Sequence, residues 1–492
     1  MPEEYMSMLR SLPSEVDKVK EPVVSVATVD VAVQTGPPRH LASGILYGIP
    51  DRPDQIPDHF YKDIGFNYGR GGGSQLPGTK GYAVSLDDYK ARFASALSNY
   101  RTTRKHGGEF IYLLPALWGA DGGQSEGFAY PGDDDDWTGW DAFLERTLDD
   151  VKKSDMIEGL VVDIWNEPDL SFFWNRSMEQ WLQLWTRSFN KIREVLLSVR
   201  ISGPSMSAIP SASHEWWSAF LSRCKDSLPD QWSWHMEGGD EAVTMASSMA
   251  SFHDLLSKHD IPLEKAQDVN INEYAVYGEQ VPSAGAWWIA GLERENAHGL
   301  RGNWAIAGAL HDFMAGLLSK PNSSDGSYAI DGEGYWPTAE FQVYKYYASR
   351  MKGQRLKTSA SSDRLLDVYA TIEGDVVRIL AGTRSRPGHW TIDVVGLTDD
   401  TRVKVKTLAF RVVDGDKFRR VDGPHDLEER EEVVKEGKLR LRMKHQDPMT
   451  AFAFELTIAE GRHYTVSPFP PVLVTNRRYL GALSRMKELS IG

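Results

Sequence analysis

From "HLASGILYGI", beginning at His40, to about Ser349, the chain passes repeatedly from a short apolar run, through a polar loop, into a longer amphipathic segment. The strand candidates are "DIGFNYGR" (Asp63 to Arg70), "EFIYLLPALW" (Glu109 to Trp118), "EGLVVDIWNE" (Glu158 to Glu167), "VRISGPS" (Val199 to Ser205), "QWSWHME" (Gln231 to Glu237) and "DVNINEY" (Asp268 to Tyr274). Between them, Leu86 to His106, Trp140 to Lys153, Met178 to Ser198, His214 to Lys225 and Thr244 to Lys258 carry apolar residues at helical spacing. Strands that each feed a helix bury their apolar faces as a parallel sheet covered by helices, and the number of units fits an eightfold barrel. The last unit is predicted from "HGLRGNWAIAGALHDFMAGLLSK", a strand from His298 followed by a helix, and from "PTAEFQVYKYYASRM", a further helix from Pro337.

The texture changes after Lys352. "DRLLDVYATIEGDVVRILAGTRS", "GHWTIDVVGL", "TRVKVKTLAFRVV", "KLRLRMKHQ" and "MTAFAFELTIAEG" read as successive strands joined by Gly- and Asp-containing turns. The expected fold is therefore α/β, a (β/α)8 TIM barrel with an accessory all-β sandwich domain. It divides into a polar segment at 1–22, a strand segment at 23–36, the barrel at 37–351, the β-sandwich at 352–480 and a tail at 481–492. The strand in "VVSVATVDVAVQ" (Val23 to Gln34) is a candidate to complete the β-domain. Two units also suit 492 residues, a length beyond that at which single cores usually stop growing.

With 41% hydrophobic and 25% charged residues the chain has the composition of an ordinary soluble protein. Its formal charge of -14 argues against general binding to nucleic-acid backbones or anionic membranes. Cys224 is the sole cysteine, which excludes an intrachain disulfide and a zinc-finger or paired-cysteine site. The opening "MPEEYMSMLRSLPSEVDKVKE" holds no apolar run of signal-peptide or spanning length. That points to the cytoplasm if the chain is complete, and to secretion if a leader has been removed. The sequons at Asn175 and Asn322 matter only in the second case.

Within "VVDIWNEPDL" (Val161 to Leu170), Val161, Val162, Ile164 and Trp165 suit a covered strand. Asn166 and Glu167 are costly to bury unless something engages them. A second apolar strand ends in "INEY", at Glu273 and Tyr274. "IWNEP" followed by "INEY" resembles the two catalytic strand ends of clan A glycoside hydrolases. The late β-domain and the "WDAFLERTLDDV" approach are similar to family 39 and its relatives. The resemblance implies that Glu167, ending the fourth strand, is the acid/base and that Glu273, ending the seventh, is the nucleophile of a retaining glycosidase. The substrate is then an oligosaccharide or polysaccharide, with no cofactor and no catalytic metal. In such enzymes one carboxyl group protonates the departing sugar oxygen while the other attacks the anomeric carbon. The retaining spacing is about 5–5.5 Å, against about 6.5–9.5 Å for an inverting pair. A non-catalytic carbohydrate-binding relative and an inverting glycosidase remain the alternatives.

The resemblance also makes Asn166 a partner of the sugar 2-hydroxyl and His235, in "SWHME", an active-site histidine; strand termination and a core histidine are the respective alternatives. Glu237 is an extra acidic candidate where relatives carry a tyrosine. Tyr274 either donates to the nucleophile or packs into the core. In "NYGRGGG", Arg70 is expected to bond Glu273 or a sugar hydroxyl. The glycines lack the P-loop Lys-Ser/Thr and the full dinucleotide fingerprint. Trp118 and Trp288 are candidate walls of the sugar site, Trp165 is either a wall or core, and Trp174, Trp287, Trp304 and Tyr335 are further aromatic platforms. Loops around Trp118, His214 and Trp288 are expected to decide between exo and endo action. The run Asp133 to Asp136 lacks EF-hand spacing and reads as a solvated loop or helix start.

Overall fold

The computed structural model describes residues 25–237, 243–302, 312–323, 329 and 331–458. The described chain opens with β1 (Ser25–Gly36) and then builds a closed barrel of eight parallel strands. These are β2 (Gly44–Leu46), β3 (Tyr68–Gly71), β4 (Glu109–Leu113), β5 (Leu160–Asp163), β6 (Arg200–Met206), β7 (Gln231–Met236), β8 (Val269–Tyr274) and β9 (His298–Arg301). Each pairs with the next, and Leu300 of β9 lies opposite Gly44 of β2 to close the ring.

The helices are α1 (Asp58–Asp63), α2 (Leu86–Lys105), α3 (Leu114–Trp118), α4 (Thr138–Lys153), α5 (Met178–Val195), α6 (Glu215–Arg223), α7 (Met245–Lys258), α8 (Pro282–Glu295) and α9 (Ala339–Ser349). Several begin where a hydroxyl accepts an orphan amide: Ser85 from Asp87 and Asp88, Ser177 from Gln180, and Thr244 in a reciprocal box with Ser247. "EFIYLLPALW" is not one strand. Pro115 has no N–H to give to a ladder but suits a first helical turn, so β4 stops at Leu113 and Trp118 ends α3, capped by Gly119 at φ 112°. Of the helix expected after His298, residues 303–311 lie outside the described residues. Turns follow from 312, and then β10 (Leu318–Ser319) pairs with β11 (Trp336–Pro337).

The strands β12 (Gln354–Ser359), β13 (Leu366–Glu373), β14 (Val376–Thr383), β15 (Gly388–Val395), β16 (Arg402–Phe410), β17 (His425–Val433), β18 (Lys438–His445) and β19 (Ala451–Ile458) join β1 in one mixed sheet. Its order is β17-β16-β19-β14-β13-β12-β1-β15-β18. β1 runs antiparallel to β12 and parallel to β15. A single apolar cluster gathers Ile392 and Leu441 from one end of this order with Val403 and Val405 from the other, so the sheet folds over its own core as a sandwich. The segments 1–22 and 481–492, and 459–480 of the expected β-domain, lie outside the described residues. No helix among the described residues is long and apolar enough to cross a membrane.

Helix α8 joins the two units. One side packs on the barrel, where Trp288 meets Tyr274, and the other meets β13 and β14. Nearly every residue of α8 is therefore buried.

Candidate functional site: two glutamates at the barrel mouth

At the carboxyl ends of its strands the barrel interior is polar. Arg70 from β3, Asp163 from β5, Ser205 from β6, His235 from β7 and Asn272 from β8 are all buried. Burying a guanidinium is costly unless its charge is matched and its N–H groups are taken up. Arg70 meets both conditions: Nη2 donates to Asp163 Oδ2 at 2.9 Å and to Asn166 Oδ1 at 2.7 Å, while Nη1 donates to Glu273 Oε1 at 2.5 Å. Ser205 Oγ and Asn272 Nδ2 also donate to Asp163 Oδ2, at 2.9 and 3.2 Å. Burial raises the Asp163 carboxyl above its usual range, with Arg70 opposing the shift. Asp163 is thus the anchor that fixes Arg70, and Arg70 fixes Glu273.

Glu167 lies just beyond β5 with φ at +44°, in the left-handed region that side chains rarely adopt. Its amide donates to Ser205 O at 2.9 Å. Glu273 lies near the end of β8, whose pairing with both neighbouring strands is irregular close to this residue. Such irregularities re-aim side chains. The two strand ends bring the carboxyl groups together around His235, whose Nδ1 lies 2.7 Å from Glu167 Oε1 and 3.6 Å from Glu273 Oε2. One oxygen of each glutamate and one nitrogen of His235 lie within 4.8 Å of one another.

The electrostatic settings of the two acids differ. Burial pushes the Glu167 carboxyl up to about 8, with Asp169 adding to the rise and Arg70 opposing it. Asp169 is pinned by the amides of Ser207 and Ala208. Glu273 instead has a guanidinium in direct contact. Burial also lowers the His235 imidazole below its ordinary value, which favours its neutral form. These three side chains form the candidate cation-binding group found among the described residues. Arg70 already supplies a positive charge to it.

Not every aromatic candidate reaches this place. Tyr274 follows Glu273 on the strand and therefore points to the opposite face. Its hydroxyl donates to Ala42 O at 3.0 Å and meets Tyr344 Oη at 2.8 Å, so of the two readings of Tyr274 the packed one describes its position. Trp118 is packed among Tyr82, Trp140 and Phe143, with Nε1 donating to Ala129 O. Trp288 is fully buried on α8, its Nε1 donating to Glu279 Oε2. Trp165 is sandwiched between Trp140 and Trp174 in the helical layer. Tyr335 is tied to Gln55 and Asp312, and Trp304 lies outside the described residues. Asp133 pairs with Arg176 and accepts from Gln180, and Asp136 accepts from the Thr138 amide. Glu237 is half-buried immediately after β7.

Asp163, Ser205 and Asn272 escape the sequence reading, as does Tyr47. Asp163 follows Val161, and Asn272 follows Asn270, at the two-residue spacing of inward-facing strand positions, the one signal pointing to them. Tyr47, just past β2, has φ +54° and meets Ser74 Oγ at 2.7 Å; burial pushes its phenol up to about 12.

The family model for the glycosyl hydrolase catalytic core matches residues 140–284, the stretch that carries both glutamates. A 3-O-beta-L-arabinopyranosyl-alpha-L-arabinofuranosidase of Bifidobacterium pseudocatenulatum is 31% identical over 147 residues, 29% of this chain. The match spans 13% of that protein's length. Among solved structures, N2152 from Neocallimastix frontalis is similar at a TM-score of 0.68 and 20% identity, over 89% of this chain and 100% of its own. A glucosidase from Croceicoccus marinus gives 0.56 and 14%, over 89% and 99%. The GH39 enzyme from Xanthomonas axonopodis pv. citri gives 0.54 and 11%, over 91% and 99%. At these identities the structures share the fold. The family match adds that residues 140–284 of this barrel are similar to a glycosyl hydrolase catalytic core.

Proposed function

We propose that the chain is a retaining glycoside hydrolase acting on an oligosaccharide or polysaccharide, with Glu167 as acid/base and Glu273 as nucleophile. The observation that carries this reading is the approach of the two carboxyl groups to within 4.8 Å at one barrel mouth. That is close to the retaining spacing of about 5–5.5 Å and short of the about 6.5–9.5 Å that admits a water between the groups. The unequal settings of the two acids support the division of roles. Glu167, raised to about 8, holds its proton at neutral pH and gives it to the departing glycosidic oxygen. Glu273, beside Arg70, attacks the anomeric carbon, and the glycosidic bond breaks as the ester forms. Glu167, now a carboxylate, then takes a proton from water. The hydroxide so generated attacks the anomeric carbon, releasing the sugar and restoring Glu273.

His235 fits this cycle with Nδ1–H donating to Glu167 Oε1, which leaves the carboxyl proton on the other oxygen for the leaving group. Asn166, with its carbonyl oxygen committed to Arg70, keeps its NH2 group as donor for the sugar 2-hydroxyl. Family 39 is favoured within the clan by the β-domain and by the GH39 enzyme among the similar structures. The name of the Bifidobacterium protein puts arabinofuranosides first among the sugars to test.

The test is a panel of 2-deoxy-2-fluoro glycosyl fluorides, including arabinosyl, xylosyl and glucosyl members, with the modified peptide read by mass spectrometry. A sugar ester on Glu273, and first-formed product of the substrate's own anomer, are expected. Product of the opposite anomer would establish an inverting enzyme. Sugar binding with no turnover across pentosides, hexosides and uronides would establish a non-catalytic relative.

A further inference from the structure

The chain turns sharply after the nucleophile. Ala275 has φ +71°, and a single 3-10 turn, Tyr277–Glu279, leads into α8. Three consecutive residues of this turn are each held by a side chain of the β-domain. Lys417 Nζ donates to Tyr277 O at 2.8 Å and lies 3.4 Å from the centre of its ring. Ser385 Oγ donates to Gly278 O at 3.2 Å. Arg384 Nε donates to Glu279 Oε1 at 2.6 Å, while the other carboxylate oxygen accepts from Trp288 Nε1 at 3.1 Å. The Arg384 guanidinium also lies over the rings of Trp287 and Trp288, and its Nη1 donates to Val243 O at 2.7 Å. Val243 stands between the His235 strand and α7, so one arginine ties together the connections that follow both β7 and β8.

From this convergence we propose that Arg384 and Lys417 are positioning residues, and that the β-domain acts through them as a clamp on the turn that sets the place of Glu273. Two features make such a clamp consequential. The pairing of β8 is irregular beside Glu273: it stays opposite His235 of β7 but has no partner in β9, where the register passes from Ile271 to Tyr274, so the strand ladder holds this position from one side. On the barrel side the turn is held by the amide of Glu279 to Val276 O and that of Gln280 to Tyr277 O, at 2.8 and 3.3 Å, and by Gln280 Nε2 to Ala275 O and Gly302 O, at 3.1 and 3.3 Å, so the β-domain contacts hold the face of the turn turned away from the barrel. A displacement of about 1 Å at a reacting group can cost on the order of a hundredfold in rate. The proposal rests on the glycosidase reading for its effect on chemistry, but not for the clamp itself.

The experiment uses the full chain with Arg384→Gln, Lys417→Met, the conservative Arg384→Lys, and Arg402→Gln as a control. Arg402 pairs with Glu431 on the exposed edge of the β-domain. Hydrogen exchange at the Glu279 and Gln280 amides is read by mass spectrometry, beside the rate of Glu273 labelling by the fluoro-sugar fluoride that works best on the wild type. Arg384→Gln and Lys417→Met are expected to speed exchange in the turn about tenfold or more, with β5 and β6 unchanged. They should slow the labelling step about tenfold while the probe's binding constant moves less than about twofold. Arg384→Lys should recover part of both effects, and Arg402→Gln should show neither. Unchanged exchange in the turn would overturn the clamp whatever the chemistry. Faster exchange with undiminished labelling would overturn the positioning role. Failure of the wild type to be labelled by any probe overturns the retaining reading and the positioning role with it, and the exchange data then decide the clamp alone.

Discussion

His235 Nδ1 stands 2.7 Å from Glu167 Oε1 and 3.6 Å from Glu273 Oε2, with all three side chains buried, so a single imidazole bonds one acid and lies beside the other. Arg70 reaches only one of them, and this asymmetry gives the two carboxyl groups different work.

The first expectation concerns the pH dependence of turnover. Burial raises Glu167 to about 8, so the acid form serves at neutral pH and kcat/KM should fall as pH rises through about 8. In Glu167→Gln the descending limb should vanish, measured on an aryl glycoside whose leaving group needs no proton. A limb that persists at the same pH in that variant would assign the titration to another group.

The same shift makes a statement about stability. The folded chain binds the Glu167 proton more tightly than the unfolded chain, where the ordinary value of 4.5 applies. The contribution is therefore fully present below 4.5, declines as pH rises and is lost above about 8. Glu167→Gln should match the wild type in urea unfolding near pH 4. It should exceed the wild type near pH 9 by an amount on the order of 5 kcal/mol. Equal stability at both pH values would mean that the carboxyl group is not desolvated.

Arg70→Met removes the cation between Asp163 and Glu273 and leaves two buried acids without it. The expected cost is about 3–5 kcal/mol near pH 8, smaller near pH 5 where Asp163, its carboxyl raised by burial, more readily takes a proton. Arg70→Lys keeps the charge but not the fork that serves Asp163, Asn166 and Glu273 at once, and should recover only part of the loss. Denaturant unfolding at the two pH values separates the variants.

How much of this was legible in the sequence depended on whether a residue's setting was local. Glu167 and Glu273 stand out because each closes an apolar strand with Asn-Glu, a pattern that packing alone does not call for. Asp163 does not stand out: its role comes from facing Arg70 and Asn272 across the barrel, which only the inward register of three strands reveals. For Trp118, Trp288 and Tyr274 the sequence does not choose, because a bulky aromatic near a strand end suits the helical layer as well as a sugar cleft. Helix α8 lacks a polar face because it is buried from two sides, and its periodicity disappears with it. The edge strand β17 was missed for the opposite reason. "HDLEEREEV" is exposed along nearly its whole length, held by pairs such as Lys404 with Glu429, and charge on an edge discourages sheet extension.

The last prediction concerns the seam between the two units. A Cβ built on Gly382 of β14 would lie 2.0 Å from Ser283 O and 2.8 Å from Ala286 Cβ, so α8 rests directly on the sheet backbone. The backbone there is tied as well: Thr383 N donates to Ser283 Oγ at 2.9 Å. Because the obstruction is a carbonyl on a helix and not the end of a flexible side chain, Gly382→Ala has to move α8 away from β14. The expected loss is about 1–3 kcal/mol in unfolding free energy. Since α8 begins directly after the turn that follows Glu273, the same substitution should lower kcat more than it raises KM, whereas Gly415→Ala, where nothing lies within 4 Å, should strain only its own loop and leave kinetics unchanged. A Gly382→Ala variant with wild-type unfolding and kinetics would mean that helix and sheet are not in the contact described.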